Sequence, residues 1–304
     1  MLQNISAALP RKNKIKEDKS TTIVSIFVVT LFALCCVAPF IYVFFVSFMP
    51  YSEYIENPMK IIPSKIDFAA YRQMFELDLL WSGYRNTIIV TVFGTLLNVA
   101  LLVISGYPLS KTNLKGHKVF MGIIMFTMFF NGGMIPNYVL VRYLNIDDTL
   151  LALILPGCIS VFNLLLMKNF ITTTIPTTLE ESATIDGAND LRILFSIVFP
   201  LLKPAIATMV VFCAVGHWNS YYSAMLYLQD REKWTLPLIL RELIVVDNAN
   251  TLSQTAQLLQ SQNMAHSFTL KMAAIVITVL PILIVYPFMQ KYFVKGVTLG
   301  SVKE

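Results

Sequence analysis

Few residues in this chain are able to do chemistry, and they are unevenly placed. His117, His217 and His266 are scattered, none within an HExxH helix, and no GxSxG turn and no paired carboxylates lie within an apolar run. No Gly-Lys pair occurs, so the GxxxxGKS/T phosphate loop is absent and the chain cannot hydrolyse ATP by that chemistry. Cys35, Cys36, Cys158 and Cys213 all sit in apolar runs, a placement that suits small buried hydrophobes better than a disulfide framework or a metal site. No catalytic residue and no metal site are therefore expected. His217, the histidine inside an apolar run, reads first as a packing residue. The acids that do cluster, Glu180, Glu181 and Asp186, belong to EESATIDGANDLRILFSIVFPLLKP, Glu180 to Pro204. What they offer is charge displayed on a short helix, the chemistry of docking rather than of bond breaking.

The elements that must carry that segment are apolar. Hydrophobic residues make up 56% of the 304 and charged ones only 13%, about half the share of a soluble domain, so the chain reads as a polytopic membrane protein. Six runs approach the roughly 20 apolar residues that cross a bilayer as helix, the form that satisfies every backbone group internally. They lie near 22–48, 86–109, 118–142, 149–168, 204–228 and 268–290, after a basic tail over residues 1–20, in a single transmembrane domain over 21–304. The first run is too long for a signal-peptide core and is expected to remain a span. With both termini inside, the cytoplasmic segments hold fourteen of the 23 Lys and Arg while the outer loops hold eleven of the 18 acids, and this charge bias sets the orientation. No Asp or Glu falls within any of the six runs, which disfavours a proton- or sodium-driven carrier. Energy must come from another chain, or the protein is a passive pore.

The Glu180 to Pro204 stretch then lies in the cytoplasm between the fourth and fifth spans. Thr177 with Glu180 and Thr178 with Glu181 form two overlapping capping boxes after Pro176, which predicts a helix start. Gly187 ends the helix in the left-handed conformation, and Asn189 caps a second helix over DLRILFSIVF that Pro200 and Pro204 interrupt. Such a short, small-residued helix suits insertion into a partner's groove, and a plain interfacial connector is the alternative. In the third span, Asn131-Gly132-Gly133 with Pro136 is expected to break the helix, as backbone lining a cavity or a packing kink. Trp218, Asn219, Tyr221 and Tyr222 interrupt the fifth span with aromatic faces and an amide, the groups a sugar stacks on and bonds to; headgroup anchoring is the other reading. Outside, WTLPLILRELIVV allows Pro237 to open a short amphipathic helix, ahead of the polar run NANTLSQTAQLLQSQNM, a surface loop or a gating one.

The spacing within the cytoplasmic segment resembles the EAA loop of ATP-binding-cassette importer permeases: E-A-A, three residues, Gly, nine residues, Ile, any residue, Leu, Pro. Here it reads Glu181-Ser182-Ala183, then Gly187, then Ile197-Val198-Phe199-Pro200, with Ser182 and Phe199 departing from the pattern in type but not in place. IDGAND with FPLLKP is similar to the carbohydrate-uptake, maltose-type branch and its smaller subunit. WNSYYSAMLYL and QKYFVKGVTLGSVKE agree, and FNGGMIPNYVLVRYL resembles the subgroup associated with complex or uronate oligosaccharides. The resemblance implies an all-α membrane protein of the type I ABC importer fold with six transmembrane helices, in a bacterial cell membrane. It implies a non-catalytic subunit of an oligosaccharide importer whose loop over 177–200 is a coupling element, carried by Glu180, Glu181, Ser182, Ala183, Asp186, Gly187, Ala188 and Pro200. It also implies a homologous second permease, two ATPase subunits that bind the ATP and Mg, and an extracytoplasmic solute-binding protein, with no cofactor held by this chain. An ATP-independent channel or facilitator for small polar solutes is the alternative.

Overall fold

The computed structural model describes residues 19–245 and 267–301, all helix and connection, with no strand among them. The chain opens with α1 (Lys19–Val46), α2 (Tyr51–Glu56), α3 (Ala69–Glu76) and α4 (Asp78–Ser110). Next come α5 (His117–Phe129), α6 (Met134–Tyr143), α7 (Leu151–Ile154), α8 (Val161–Thr174) and α9 (Thr177–Ile185). After α9, α10 (Asp190–Ile193) widens into a π-turn (Leu194–Val198) and closes in α11 (Phe199–Leu201). The series ends with α12 (Lys203–Trp218), α13 (Tyr222–Tyr227), a 3₁₀ turn (Arg231–Lys233), α14 (Leu236–Val245) and α15 (Ser267–Ser301). The polar run NANTLSQTAQLLQSQNM and most of the basic tail lie outside the described residues.

Among the described residues three single helices are able by length and apolarity to cross a membrane, Thr22–Val46, Asp78–Ser110 and Phe268–Pro287, and the number is five if each of two bent pairs is one span. The expected break in the third run is present. Asn131 Oδ1 accepts from Gly133 N–H at 2.9 Å, Gly133 takes φ 86° and ψ −174°, a conformation essentially confined to glycine, and α5 meets α6 at 109°. The run near 149–168 is not one helix. Pro156-Gly157 follows the single turn α7, and the chain restarts at α8 under a Ser160 cap. The run near 86–109 begins earlier than its apolar stretch, at Asp78, because α3 and Leu77 lead directly into it. The run near 204–228 stops at Trp218, with α13 as a separate turn beyond.

α4 is the hub, packed on α8, α12 and α14. Lipid tails are as apolar as leucine, so helices in a membrane associate through close van der Waals fit and small residues rather than through the hydrophobic effect. α4 supplies that fit with glycines. A Cβ on Gly83 would meet Ile239 Cδ1, and one on Gly106 would lie 3.2 Å from Met167 and 3.3 Å from Ile171. By contrast α1 touches the bundle through α15 and leaves its apolar window exposed, with Cys35 and Cys36 on its surface. These two cysteines are thus not core residues of this chain; Cys213 is buried and Cys158 partly so. The expected helix behind Pro237 is α14, which buries Leu236, Leu238 and Ile239 against α4 and α15.

The connection before α14 is stitched to the start of α4. Asn86 Nδ2 donates to Glu232 O at 2.7 Å and to Trp234 O at 3.1 Å, while Thr87 Oγ1 accepts from Leu236 N–H at 2.8 Å. Asp148 closes a second clasp: its Oδ1 accepts from the N–H groups of Gln229 and Asp230 at 2.9 and 3.0 Å, and its Oδ2 meets Lys233 Nζ at 2.8 Å. The Lys233 ammonium holds the Asp148 carboxyl below its ordinary 3.8, with the two N–H donors adding to the effect. A lowered folded-state pKa makes this clasp favourable above the unfolded value and progressively lost as pH falls through the folded one, below about 4. Asp148→Asn keeps the left-handed turn at φ 52° but removes the ion pair. Amide exchange at Gln229 and Asp230, relative to intrinsic rates, is expected to rise a few-fold in that variant at neutral pH and in the wild type below about pH 4. Unchanged protection in both would show that the clasp does not hold the loop.

Candidate functional site

Two features are built around the ends and middle of α4. At its C-terminal end, the opposite end from the Asn86 stitch, sits the helix–glycine–helix elbow predicted from the sequence. Its corner is a Schellman motif: Ala188 N–H bonds to Ala183 O at 2.9 Å and Gly187 N–H to Thr184 O at 3.0 Å, with Gly187 at φ 81°. Asn189 caps the second arm, its Oδ1 accepting from Arg192 N–H at 2.9 Å. The predicted capping boxes do not form. Pro176 occupies the cap position, Thr177 and Thr178 are already helical, and the cap makes no side-chain hydrogen bond. Proline pre-sets the extended backbone there, so the threonine hydroxyls never reach the free N–H groups. The second arm also runs on through Pro200 instead of stopping. The π-turn widens the ring ahead of it, Phe199 N–H reaching back to Leu194 O, which makes room for a residue with no N–H. The 79° bend into α12 comes at Leu202.

The elbow is anchored on one side and bare on the other. Ile193, Leu194, Val198 and Leu202 are buried with Leu102, Met167 and Met209 in one core cluster, and Ala183 and Ala188 pack against it. Lys111, just beyond α4, joins both arms: its Nζ lies 2.8 Å from Asp190 Oδ1, 3.8 Å from Glu180 Oε2 and 4.3 Å from the Tyr107 ring centroid. Glu180 is therefore engaged within the chain. Glu181, Ser182, Ile185 and Asp186 face outward, and Ile185 is 86% exposed. A polar segment ending in a bare isoleucine is an unusual surface, and no local signal in the sequence marks Ile185 as exposed.

The second feature is a polar cavity of about 360 Å³ midway along α4. Its lining includes Asn98 from α4, Asn163 from α8, His217 from α12, and Ser220 and Ser223 around the start of α13. With Asn98 Nδ2 donating to Gly94 O at 2.9 Å and Cys158 O at 3.1 Å, its Oδ1 accepts from His217 Nε2 at 3.2 Å. The imidazole is thereby pinned across bare Gly94, where a Cβ would lie 2.5 Å from Nε2.

The family described as binding-protein-dependent transport system inner membrane component matches residues 5–299. The chain belongs to this family. Among its relatives, the polygalacturonan/rhamnogalacturonan transport system permease protein YtcP of Bacillus subtilis (strain 168) is 43% identical over 90% of this chain and 94% of its own length. Protein LplC of the same organism is 39% identical over 88% and 89%. A chain from the crystal structure of a bacterial ABC transporter involved in the import of the acidic polysaccharide alginate is 38% identical, with a TM-score of 0.82 over 91% of this chain and 98% of that one. A chain from a bacterial alginate ABC transporter in complex with alginate pentasaccharide-bound periplasmic protein shares the fold, with a TM-score of 0.54 at 13% identity over 89% and 93%.

In this permease the path candidates Trp218, Asn219, Tyr221, Tyr222 and Asn131 are not among the residues that line the cavity. Trp218 packs with Leu80, Leu236 and Ala273 on the far side of α12, and Asn219 Nδ2 donates to Val215 O of its own helix at 3.0 Å. Tyr222 OH meets Met134 Sδ at 2.6 Å, tying α13 to α6, while Tyr221 and Asn131 are exposed. The lining comes from their neighbours instead. α12 turns 100° per residue, so His217 points away from Trp218, while Ser220 lies in the break between α12 and α13. His217, read from sequence as a packing residue, is both packed on Gly94 and part of the lining.

Proposed function

We propose that this permease is one half of the translocation path of an ATP-driven, binding-protein-dependent oligosaccharide importer, and that the elbow after α8 receives the stroke of a separate ATPase. The observation that carries this reading is the elbow: a corner fixed by hydrogen bonds, core burial and Lys111 to both α4 and α12, with Glu181, Ser182, Ile185 and Asp186 left bare. A helix that is rigid toward its own bundle and unpartnered outward moves the bundle when it is pushed. In this arrangement Gly187 and Pro200 shape the elbow, Glu180, Ala183 and Ala188 fasten it, and Glu181, Ser182 and Asp186 meet the ATPase beside Ile185. ATP and Mg belong to that partner, and this subunit is non-catalytic.

Six spans follow from the six apolar runs of the sequence, and both termini in the cytoplasm of a bacterial cell, with the elbow on the inner face, from its charge bias. A homologous second permease completes the path, two ATPase subunits drive it, and a solute-binding protein delivers sugar to the face that carries the Asp148 clasp. The sugar class is supported by relatives whose names specify polygalacturonan/rhamnogalacturonan and melibiose/raffinose/stachyose transport. A passive facilitator has no use for such an elbow.

Ile185→Glu, which places a charge where an apolar side chain would be buried, is expected to lower ATPase co-purification and ATP-dependent uptake about tenfold or more at an unchanged level of permease in the membrane. ATPase recovery equal to wild type would remove Ile185 from the docking face, and recovery of no ATPase by the wild-type permease would overturn the coupling reading itself.

A further inference from the structure

The cavity beside α4 has a composition that packing alone does not explain. Polar groups at membrane depth are expensive and are retained where they meet one another or a ligand. Asn98 meets its own bundle, through Gly94, Cys158 and His217. Asn137, Ser220 and Ser223 also line the cavity, and their side chains make no hydrogen bond to another described residue. The backbone opens the space as well, since a Cβ placed on Gly157 or on Gly216, both at the cavity wall, would meet nothing within 4 Å. At about 360 Å³ the cavity falls within the roughly 300–1,000 Å³ of small-molecule sites. Phe212 and Tyr227 add aromatic surface, and among the described residues no Asp, Glu, Lys or Arg lines it.

We propose that this cavity is a subsite in which a saccharide unit of the transported chain is held through its hydroxyls and ring face, without its charge being read. This rests on the reading of the chain as a sugar permease and adds where, and by which groups, this subunit touches the sugar. Amides and hydroxyls each donate and accept, which matches the paired donor and acceptor character of sugar hydroxyls, and an aromatic face suits the C–H side of a pyranose. The Asn98 bond keeps the proton of His217 on Nε2 and leaves Nδ1 as an acceptor for a hydroxyl. A carboxylate would find N–H and O–H donors here but no countercharge, so acidic and neutral sugars of one stereochemistry are held alike. Weak, uncharged binding also suits a path, from which the ligand must leave.

The test uses the complete importer, with both permeases, ATPase and binding protein, in proteoliposomes. Its probes are an oligogalacturonate and the same oligosaccharide methyl-esterified to remove its charge. Gly216→Leu, which fills the cavity from a position with open space, is expected to reduce ATP-dependent uptake of both probes about tenfold or more, by the same factor, with ATPase co-purification at the wild-type level. Ser220→Ala with Ser223→Ala is expected to raise the apparent KM about tenfold for both. Ser220→Cys supplies a readout besides uptake: both probes are expected to slow its modification by a maleimide. Wild-type uptake in Gly216→Leu, a loss confined to the acidic probe, or maleimide modification indifferent to both probes overturns the subsite while leaving the importer standing. A wild-type complex that moves neither probe with ATP overturns the sugar reading and the subsite together.

Discussion

Gly94→Val is expected to lower the unfolding midpoint of the solubilised permease by about 5–10 °C and to abolish uptake. The Cβ alone would sit 2.5, 2.7 and 2.9 Å from three atoms of the His217 ring, closer than carbon and nitrogen approach without something moving. A flexible side-chain tip would swing away, but this ring is held by Asn98, whose amide is in turn committed to Gly94 O and Cys158 O. The strain therefore passes to the α4–α12 contact, the most extensive helix pair among the described residues. Overpacking of this kind costs about 1–3 kcal/mol, and each kcal/mol moves the midpoint by roughly 2–4 °C in a protein of this size. The mechanism is separable from a general helix effect, since alanine is a better helix former than glycine. Gly94→Ala should destabilise the wild type but do so less by about 1 kcal/mol or more in a His217→Ala background, because the clash partner is gone. Additive effects of the two substitutions would show that the ring is not what Gly94 makes room for.

Gly187→Val is expected to reduce ATP-coupled uptake about tenfold or more with the permease still inserted at its normal level. Space is not the issue, for a Cβ at this corner would meet nothing within 4 Å. The penalty is conformational: at φ 81° a β-branched residue clashes with its own backbone, by about 1–2 kcal/mol, and the two bonds of the Schellman corner depend on that φ. A shift of about 1.4 kcal/mol between the native and an opened corner changes their ratio tenfold. Once the corner opens, α9 no longer moves with α10 and the core beneath it. Gly187→Asn separates shape from identity, because asparagine tolerates the left-handed region, and it should retain more than about half of the uptake. Uptake in Gly187→Val equal to wild type would mean that the corner transmits no force.

Much of the elbow was legible in the linear sequence because its signals are local. Gly187 as a left-handed C-terminal residue and Asn189 as a cap act within four residues of themselves, and both hold in the structure. The Asn131-Gly132-Gly133 break is local in the same sense. Local rules failed where two of them competed. Pro176 took the cap position from the threonines, and a π-turn let the helix absorb Pro200.

The sequence by itself determined that this is a helical membrane protein with a helix–glycine–helix segment at EAA spacing and no phosphate loop, since apolar run length, glycine and proline placement and motif spacing are properties of neighbours along the chain. Only the tertiary structure decided which side of each helix is used. Glu180 went to Lys111 and Ala183 to the core, which left Ile185 and Glu181 outside, and the cavity was assembled from Asn98, Asn163, His217 and Ser220 rather than from Trp218 and Asn219. The reason is geometric. In an almost uniformly apolar helix, hydrophobic periodicity carries little information about facing, and the facing is set instead by where glycines such as Gly94 let another helix approach.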